Sequence, residues 1–240
     1  MTGRARRFRL VGPGRAGSSL ADALVAVGWT DRGRLGRGDD VTTAADDVDV
    51  LIIATPDGAI AGVAAAVEPA ATTVVLHLAG SVGLDALAPH PRRGALHPLM
   101  ALPNAAVGAA RLREGAWFAV AGDPLVSEIV RELGGRSFEI ADADRAAYHA
   151  AACIASNHLV ALMGQVERVA RTVGVPFEAY LDLVRATVDN VDALGPTGAL
   201  TGPAARGDWT TIERHRAALD PGELAAYDAM VAAARRLVDP

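Results

Sequence analysis

Along the first part of the chain, short apolar runs alternate with longer amphipathic ones. Phe8 to Val11, Val48 to Ala54, Thr73 to Leu78, Ala95 to His97, Trp117 to Ala121 and Ser137 to Ile140 are short, often β-branched, and bounded by Gly, Pro or Asp. Those features predict six strands. Between them, Ala16 to Val27, Asp57 to Val67 and Pro124 to Leu133 read as helices, with Asp57 after Pro56 as a candidate N-cap and Gly134-Gly135 as a stop. Strands alternating with helices predict an α/β domain, a mostly parallel sheet covered by helices.

From Asp142 onward the strand signals vanish. One long helix is expected from Asp142, its cap, to about Thr172, ended by Gly174 and Pro176. Further helices are expected at Phe177 to Ala193, Trp209 to Ala218 and Gly222 to Val238, with "LGPTGALTGPAARGD" as the least regular stretch between them. The expected organisation is therefore an α/β domain over residues 1–141 followed by an all-α domain over 142–240. Ala146 to Val166 runs 21 residues without a formal charge, about the length that spans a bilayer. His149, Ser156, Asn157, His158 and Gln165 lie inside it, and alanine fills much of the rest, which suits a buried soluble helix.

Composition narrows the chemistry. All 23 basic residues are arginine, so Schiff-base, pyridoxal and P-loop chemistry, which need a lysine amine, are not expected. A net charge of −5 gives no basic face for nucleic acid or an anionic membrane. The basic run Arg4, Arg6, Arg7 and Arg9 reads as a solvated terminus. A single cysteine, Cys153, cannot form an internal disulfide, and no apolar signal sequence precedes the first strand, so a cytoplasmic location is expected. No metal site is expected.

"LVGPGRAGSSL", residues 10–20, sets Gly12, Gly14 and Gly17 in the GxGxxG spacing. The spacing alone is weak, but a strand precedes it and a helix opens at Gly17, so the amides of that helix start would face a bound pyrophosphate. Gly12, Gly14, Arg15, Ala16 and Gly17 are the candidate phosphate-binding residues of this Rossmann-type turn, with Ser18 and Ser19 as extra donors. A second strand ending in an acid or an arginine normally follows. Here "GWTDRGRLGRGDD", residues 28–40, offers only Trp29 and Thr30 as strand-like residues, and the segment reads as an eroded strand. Asp31 could serve a ribose, and Arg32, Arg34 or Arg37 a 2′-phosphate, so NADP is favoured over NAD.

Three expected strand ends carry polar tips. "IIATPDGAI" places Thr55 and Pro56 along the cofactor crevice, "LHLAGS" places Ser81 where a nicotinamide and substrate would meet, and "GALHPLMALP" ends on His97. On the long helix His149, Cys153 and Asn157 stand at i, i+4 and i+8 and share a face. A histidine near its reference pKa can donate a proton at neutral pH, which makes His149 the first candidate donor and His97 the second. Cys153 reads as a small hydrophobe rather than a nucleophile. Arg206 could fork onto a substrate carboxylate, although Asp208 as the cap of the helix from Trp209 explains that loop equally well.

"VGPGRAGSSL", "ATPD", "HLAGS", "LHPLMALP", "YHAAACIASNHLVAL" and "ALTGPAARGDWTTIERH" resemble the bacterial Rossmann-like family whose second half is known as domain of unknown function 2520. The resemblance implies a Rossmann domain followed by a helical domain related to those of 6-phosphogluconate dehydrogenase, pyrroline-carboxylate reductase and ketopantoate reductase. It also implies an NAD(P)-dependent reductase, a homodimer formed through the helical domain, and 2-dehydropantoate as a candidate substrate. Wider relatives place a catalytic lysine four residues before an asparagine on the long helix; here that position is Cys153 ahead of Asn157. In the expected enzyme Asn157 and Ser81 polarise the substrate oxygen and hold the nicotinamide amide, and Arg206 anchors a small carboxylate substrate. The alternative is a dimeric binding or scaffold protein that keeps the fold with a degenerate cofactor site.

Overall fold

The computed structural model describes residues 4–238. Its first compact unit runs to Ser156 and its second starts at Asn157. The division thus falls inside the long helical stretch rather than at the expected Asp142.

The first unit holds seven strands in the order β2-β1-β3-β4-β5-β6-β7: β1 Arg7–Val11, β2 Thr30–Leu35, β3 Val50–Ile53, β4 Val74–His77, β5 Arg93–Pro98, β6 Trp117–Gly122 and β7 Arg136–Glu139. All neighbouring pairs are parallel except β5 and β6. Between the strands lie α1 Arg15–Ala26, α2 Ile60–Ala66, α3 Ala105–Leu112 and α4 Leu125–Glu132. A strand covered on both faces must be apolar at every position, and "VLII" of β3 is buried throughout. Val50 and Ile52 join the layer with Leu20 and Leu24 of α1 and Ile129 of α4; Leu51 and Ile53 join the opposite layer with Ile60 and Ala64 of α2.

Several expectations need correction. Residues 28–40 are not an eroded strand: Thr30–Leu35 pairs in parallel with β1, with one register shift. β2 is an edge strand and mostly exposed, so its charged residues face water and no apolar pattern marks it. The basic run is not a solvated terminus either. Arg6 pairs with Glu128 and Glu132, and Arg9 of β1 donates to the carbonyls of Thr43, Ala44 and Asp46. Asp57 does not cap: Pro56 holds the N-cap position of a 3-10 turn, and the Asp57 side chain accepts from Ser81 instead. Asp142 likewise sits inside a 3-10 turn and binds Leu84 and Arg145. Helix α3, capped by Asn104, was not anticipated.

The expected single long helix is three segments, α5 Arg145–Cys153, a π-helical turn Ile154–His158, and α6 Leu159–Thr172. The second unit continues with α7 Phe177–Ala199, α8 Gly202–Arg206, α9 Trp209–Ala218 and α10 Pro221–Arg235. The stretch expected to be the least regular is broken at Gly195, whose φ of 70° precedes Pro196, and again at Leu200–Thr201 and Gly207, with short helical pieces between. Asp208 caps α9 through the Thr211 amide at 3.0 Å, as expected. Gln165 of α6 donates to the Glu223 carbonyl, and Arg168 pairs with the Glu223 carboxylate, tying α6 to α10. Among the described residues no helix is long and apolar enough to cross a membrane.

Candidate functional site

The glycine turn links β1 to α1. Gly12 has φ +89°, and a β-carbon there would lie 2.8 Å from the Ala54 carbonyl. At Gly17 it would lie 2.6 Å from the Gly12 carbonyl oxygen and 2.8 Å from Ala54 Cβ. These two glycines let turn, helix and strand end close up. Gly14 differs: nothing lies within 4 Å of a β-carbon placed there. It is the N-cap of α1, so the first-turn amides of Arg15, Ala16 and Gly17 have no intrahelical carbonyl to bind. Ser18 and Ser19 are not spare donors, because their hydroxyls already donate to the carbonyls of Pro13 and Arg15.

The Gly12 amide donates to the Leu35 carbonyl at 2.9 Å and so ties the turn to the end of β2. Asp31 accepts from the Gly33 amide and from Arg34, and Arg34 also binds Asp22 of α1, so both side chains are already engaged. Arg32 lies in mid-strand. Arg37 follows the carboxyl end of β2 and is exposed, which is where a ligand in the crevice of such a sheet would pass. At the end of β3 the Thr55 hydroxyl is buried without a hydrogen-bond partner, beside the Gly12 turn, and Pro56 is exposed. A turn open at Gly14, free helix-start amides and an orphaned hydroxyl alongside fit a dinucleotide pyrophosphate.

Farther along the same edge of the sheet, β4 ends on Leu76-His77, and β5 carries Leu96-His97 just before its last residue, Pro98. His77 pairs in register with Ala95, so His97 projects two residues beyond it. His97 Nδ1 lies 2.5 Å from the Tyr148 hydroxyl, and its ring stands edge-on to His149 at 5.8 Å between centroids. Tyr148 packs in turn on Phe138 of β7. Gly80 closes the cluster: a β-carbon there would fall 2.7 Å from His149 Cδ2 and 3.0 Å from His97 Nε2. On the exposed side Ser81 Oγ donates to Asp57 at 2.9 Å. Cys153 Sγ lies 4.0 Å from both nitrogens of the His149 ring, so neither is a directed partner.

Burial sets the protonation states. It pushes His97 down to about 4, with His149, Arg145 and His77 adding to the effect and Asp57 opposing it. His77, fully buried, is pushed down to about 4 by burial and by Arg145. The Tyr148 phenol is pushed up to about 12 by burial. At neutral pH these three rings are uncharged and hold their protons.

The structure therefore gathers Ser81, His97 and His149 into one cluster at the strand ends. It also adds Asp57, His77, Arg145 and Tyr148, which sequence reasoning passed over. The signal for His77 was its Leu-His repeat with β5; Tyr148 stood beside His149 in "YHAAAC". Asn157 and Arg206 belong to the second unit. Asn157 lies within the π-helical turn Ile154–His158, which departs from the 3.6 residues per turn behind its i+8 spacing.

Residues 118–234 match the family model described as Domain of unknown function (DUF2520). The match begins inside β6, so the family's region takes in the last two strands as well as the helices. Among curated proteins no sequence matches. Solved structures are similar in fold over almost the whole chain. An inferred NADP oxidoreductase from Bacteroides fragilis superposes with a TM-score of 0.80 at 18% identity, covering 97% of this chain and 98% of its own. A Thermotoga maritima protein gives 0.73 at 24% identity, with 97% and 98% covered. The reductive aminase of Aspergillus terreus, in complex with NADPH4, cyclohexanone and allyl amine, gives 0.71 at 18%, with 97% and 94% covered.

Proposed function

We propose that this chain, a Rossmann-type sheet that runs on into a DUF2520 region, is an NADP(H)-dependent reductase of the carbonyl or imine carbon of a small acid, with 2-dehydropantoate as the first substrate to try. One observation carries the reading: an open glycine turn and a cluster of uncharged proton donors stand at the same edge of one sheet. Ligands of such sheets bind outside the carboxyl ends of the strands. The fold shared with an inferred NADP oxidoreductase and with a reductive aminase crystallised with NADPH4 supports the cofactor and the imine half of the proposal.

When bound, the cofactor supplies the hydride. Gly12, Gly14 and Gly17 with the amides of Arg15 and Ala16 would hold its pyrophosphate, Thr55 and Pro56 would line the crevice, and Arg37, with Arg32, would meet a 2′-phosphate. The proton comes from the chain. Tyr148 keeps its hydroxyl proton at neutral pH and can release it to the developing oxygen or nitrogen anion. His97, neutral above about pH 4, is bonded to that hydroxyl and can pass its Nδ1 proton to the phenolate as Nε2 takes one from water, which leaves the ring neutral. This pair replaces the lysine the chain lacks, and His149 flanks it as the second donor. Ser81, oriented by Asp57, holds the nicotinamide amide.

The helical unit adds a second copy of the chain to the proposal. Val160, Leu183 and Leu194 are 72%, 62% and 62% exposed, an apolar surface that a homodimer would cover. The alternative, a scaffold with a closed cofactor site, expects the turn to be blocked, and the open space at Gly14 argues against it. Titration of the purified protein with NADPH and with NADH, followed by NADPH consumption with 2-oxo acids and cyclic imines, tests the reading. Binding of NADPH in preference to NADH is the expected result. No binding of either at millimolar concentration would overturn it.

A further inference from the structure

Arg145 is the largest side chain sealed inside the molecule, with 1% of its surface exposed. Its Nε donates to Asp142 Oδ1 at 2.7 Å, while Nη1 and Nη2 are buried without a protein partner. A buried guanidinium satisfied on one edge only is costly and needs a reason. The other Asp142 oxygen accepts from the Leu84 amide at 3.0 Å, and a β-carbon on Gly83 would meet that oxygen at 2.9 Å. Asp142 thus clamps the start of α5 to the loop that follows β4. Arg145 stands three residues before Tyr148 and four before His149, on the same side of that helix.

We propose that Arg145 is a positioning residue for the proton-donating rings: held by Asp142 against the Gly80–Leu84 loop, it fixes α5 against His97 and carries a positive charge beneath His77, His97 and Tyr148. The charge has one direction of effect on all three. It disfavours a proton on either histidine, so His97 does not draw the proton from Tyr148, and it makes the phenol a better acid toward the substrate. The groups that face His97 are His149 and Arg145 of α5, His77 of β4, and Asp57 behind β3; only Asp57 opposes Arg145. Asp142, half-exposed, has its carboxyl held below the usual range by Arg145 and the Leu84 amide against partial desolvation, and remains the counter-ion. For its catalytic consequence this inference rests on the reductase reading; its electrostatic content does not.

The test is a proton NMR titration of the His97 ring, assigned with His97→Gln, in the wild-type chain, Arg145→Met and Arg145→Lys. Arg145→Met is expected to raise the His97 midpoint by about one pH unit, and Arg145→Lys to restore it to within a few tenths. If Arg145→Met does not fold, Arg145→Gln, which can still donate to Asp142, is read in its place with the same expected rise. An unchanged midpoint in a folded charge-removing variant would overturn the proposal. Where turnover is measurable with a cyclic imine, the acid limb of the kcat/KM profile should move with the NMR midpoint, whereas a loss of rate at every pH alike assigns Arg145 a merely structural role. An NMR shift without any turnover leaves the electrostatic inference standing and removes the reductase reading.

Discussion

The two units are built on opposite terms. In the first, two apolar layers seal both faces of the sheet, and even His77 and Arg145 are closed off from water. In the second, only Gln165, Ala170 and Ile212 are buried among the described residues, while Val160, Leu183, Val188 and Leu194 face outward. A sheet with helices on both sides completes its own core, whereas helices with apolar faces left open need another surface to cover them. The first unit can therefore tune protonation by burial on its own. Stability in the second is expected to depend on association.

The sharpest way to break this contrast is Leu183→Glu with Leu194→Glu. Sedimentation should show a dimer converted to monomer, and the Tm should lose its dependence on protein concentration. A monomeric wild-type chain would remove the basis of the comparison.

Within the first unit, the glycine turn separates packing from binding. Gly12→Ala drives a methyl into the Ala54 backbone and requires a positive φ, so it should cost about 3 kcal/mol in denaturant unfolding. Gly14→Ala meets open space and should leave stability within about 0.5 kcal/mol while weakening NADPH binding about tenfold or more. An unchanged NADPH affinity in a stably folded Gly14→Ala would mean that the turn is no cofactor cradle.

Acid should act on the first unit through its buried histidines. His77 and His97 have folded-state pKa values below the unfolded one, so the unfolded chain binds more protons between about pH 6.5 and 4. Stability is full above that window and falls through it as pH drops. For His77 the loss is on the order of 3 kcal/mol, because each tenfold difference in proton affinity between the folded and unfolded chain corresponds to about 1.36 kcal/mol. Urea unfolding across that range should show the slope, and His77→Gln should flatten it.

Tyr148→Phe keeps the ring against Phe138 but removes the hydroxyl. It should lower kcat about 100-fold, with unchanged NADPH affinity and a stability change of about 1 kcal/mol. A larger kcat loss in His149→Ala would transfer the donor role to that ring. The smallest expected effect is in the second unit: Asp208→Ala removes the α9 cap and should cost about 1 kcal/mol, read by helix content on heating.

Much of this protein was legible in the chain because period and punctuation are local. The apolar runs of β1, β3 and β4, the glycine turn between β1 and α1, the Asp208 cap and the stop at Gly174 rest on neighbours a few residues away. β2 was not legible, since an exposed edge strand has no buried face to impose a pattern. Nor was the π-helical turn at Ile154–His158, which no spacing rule announces. The site divides in the same way. Gly12, Gly14 and Gly17 declared themselves by spacing, but Tyr148 became a candidate donor only where the fold set its hydroxyl 2.5 Å from His97, a residue 51 positions earlier. Asp57 looked like a cap until Ser81 claimed its carboxylate. The sequence alone determined the buried strands, the glycine turn and the Asp208 cap, because side-chain periodicity and glycine geometry act over short range. Only the tertiary structure decided which histidines are neutral and which arginine is buried beneath them, because desolvation and charge depend on what distant segments place around a group.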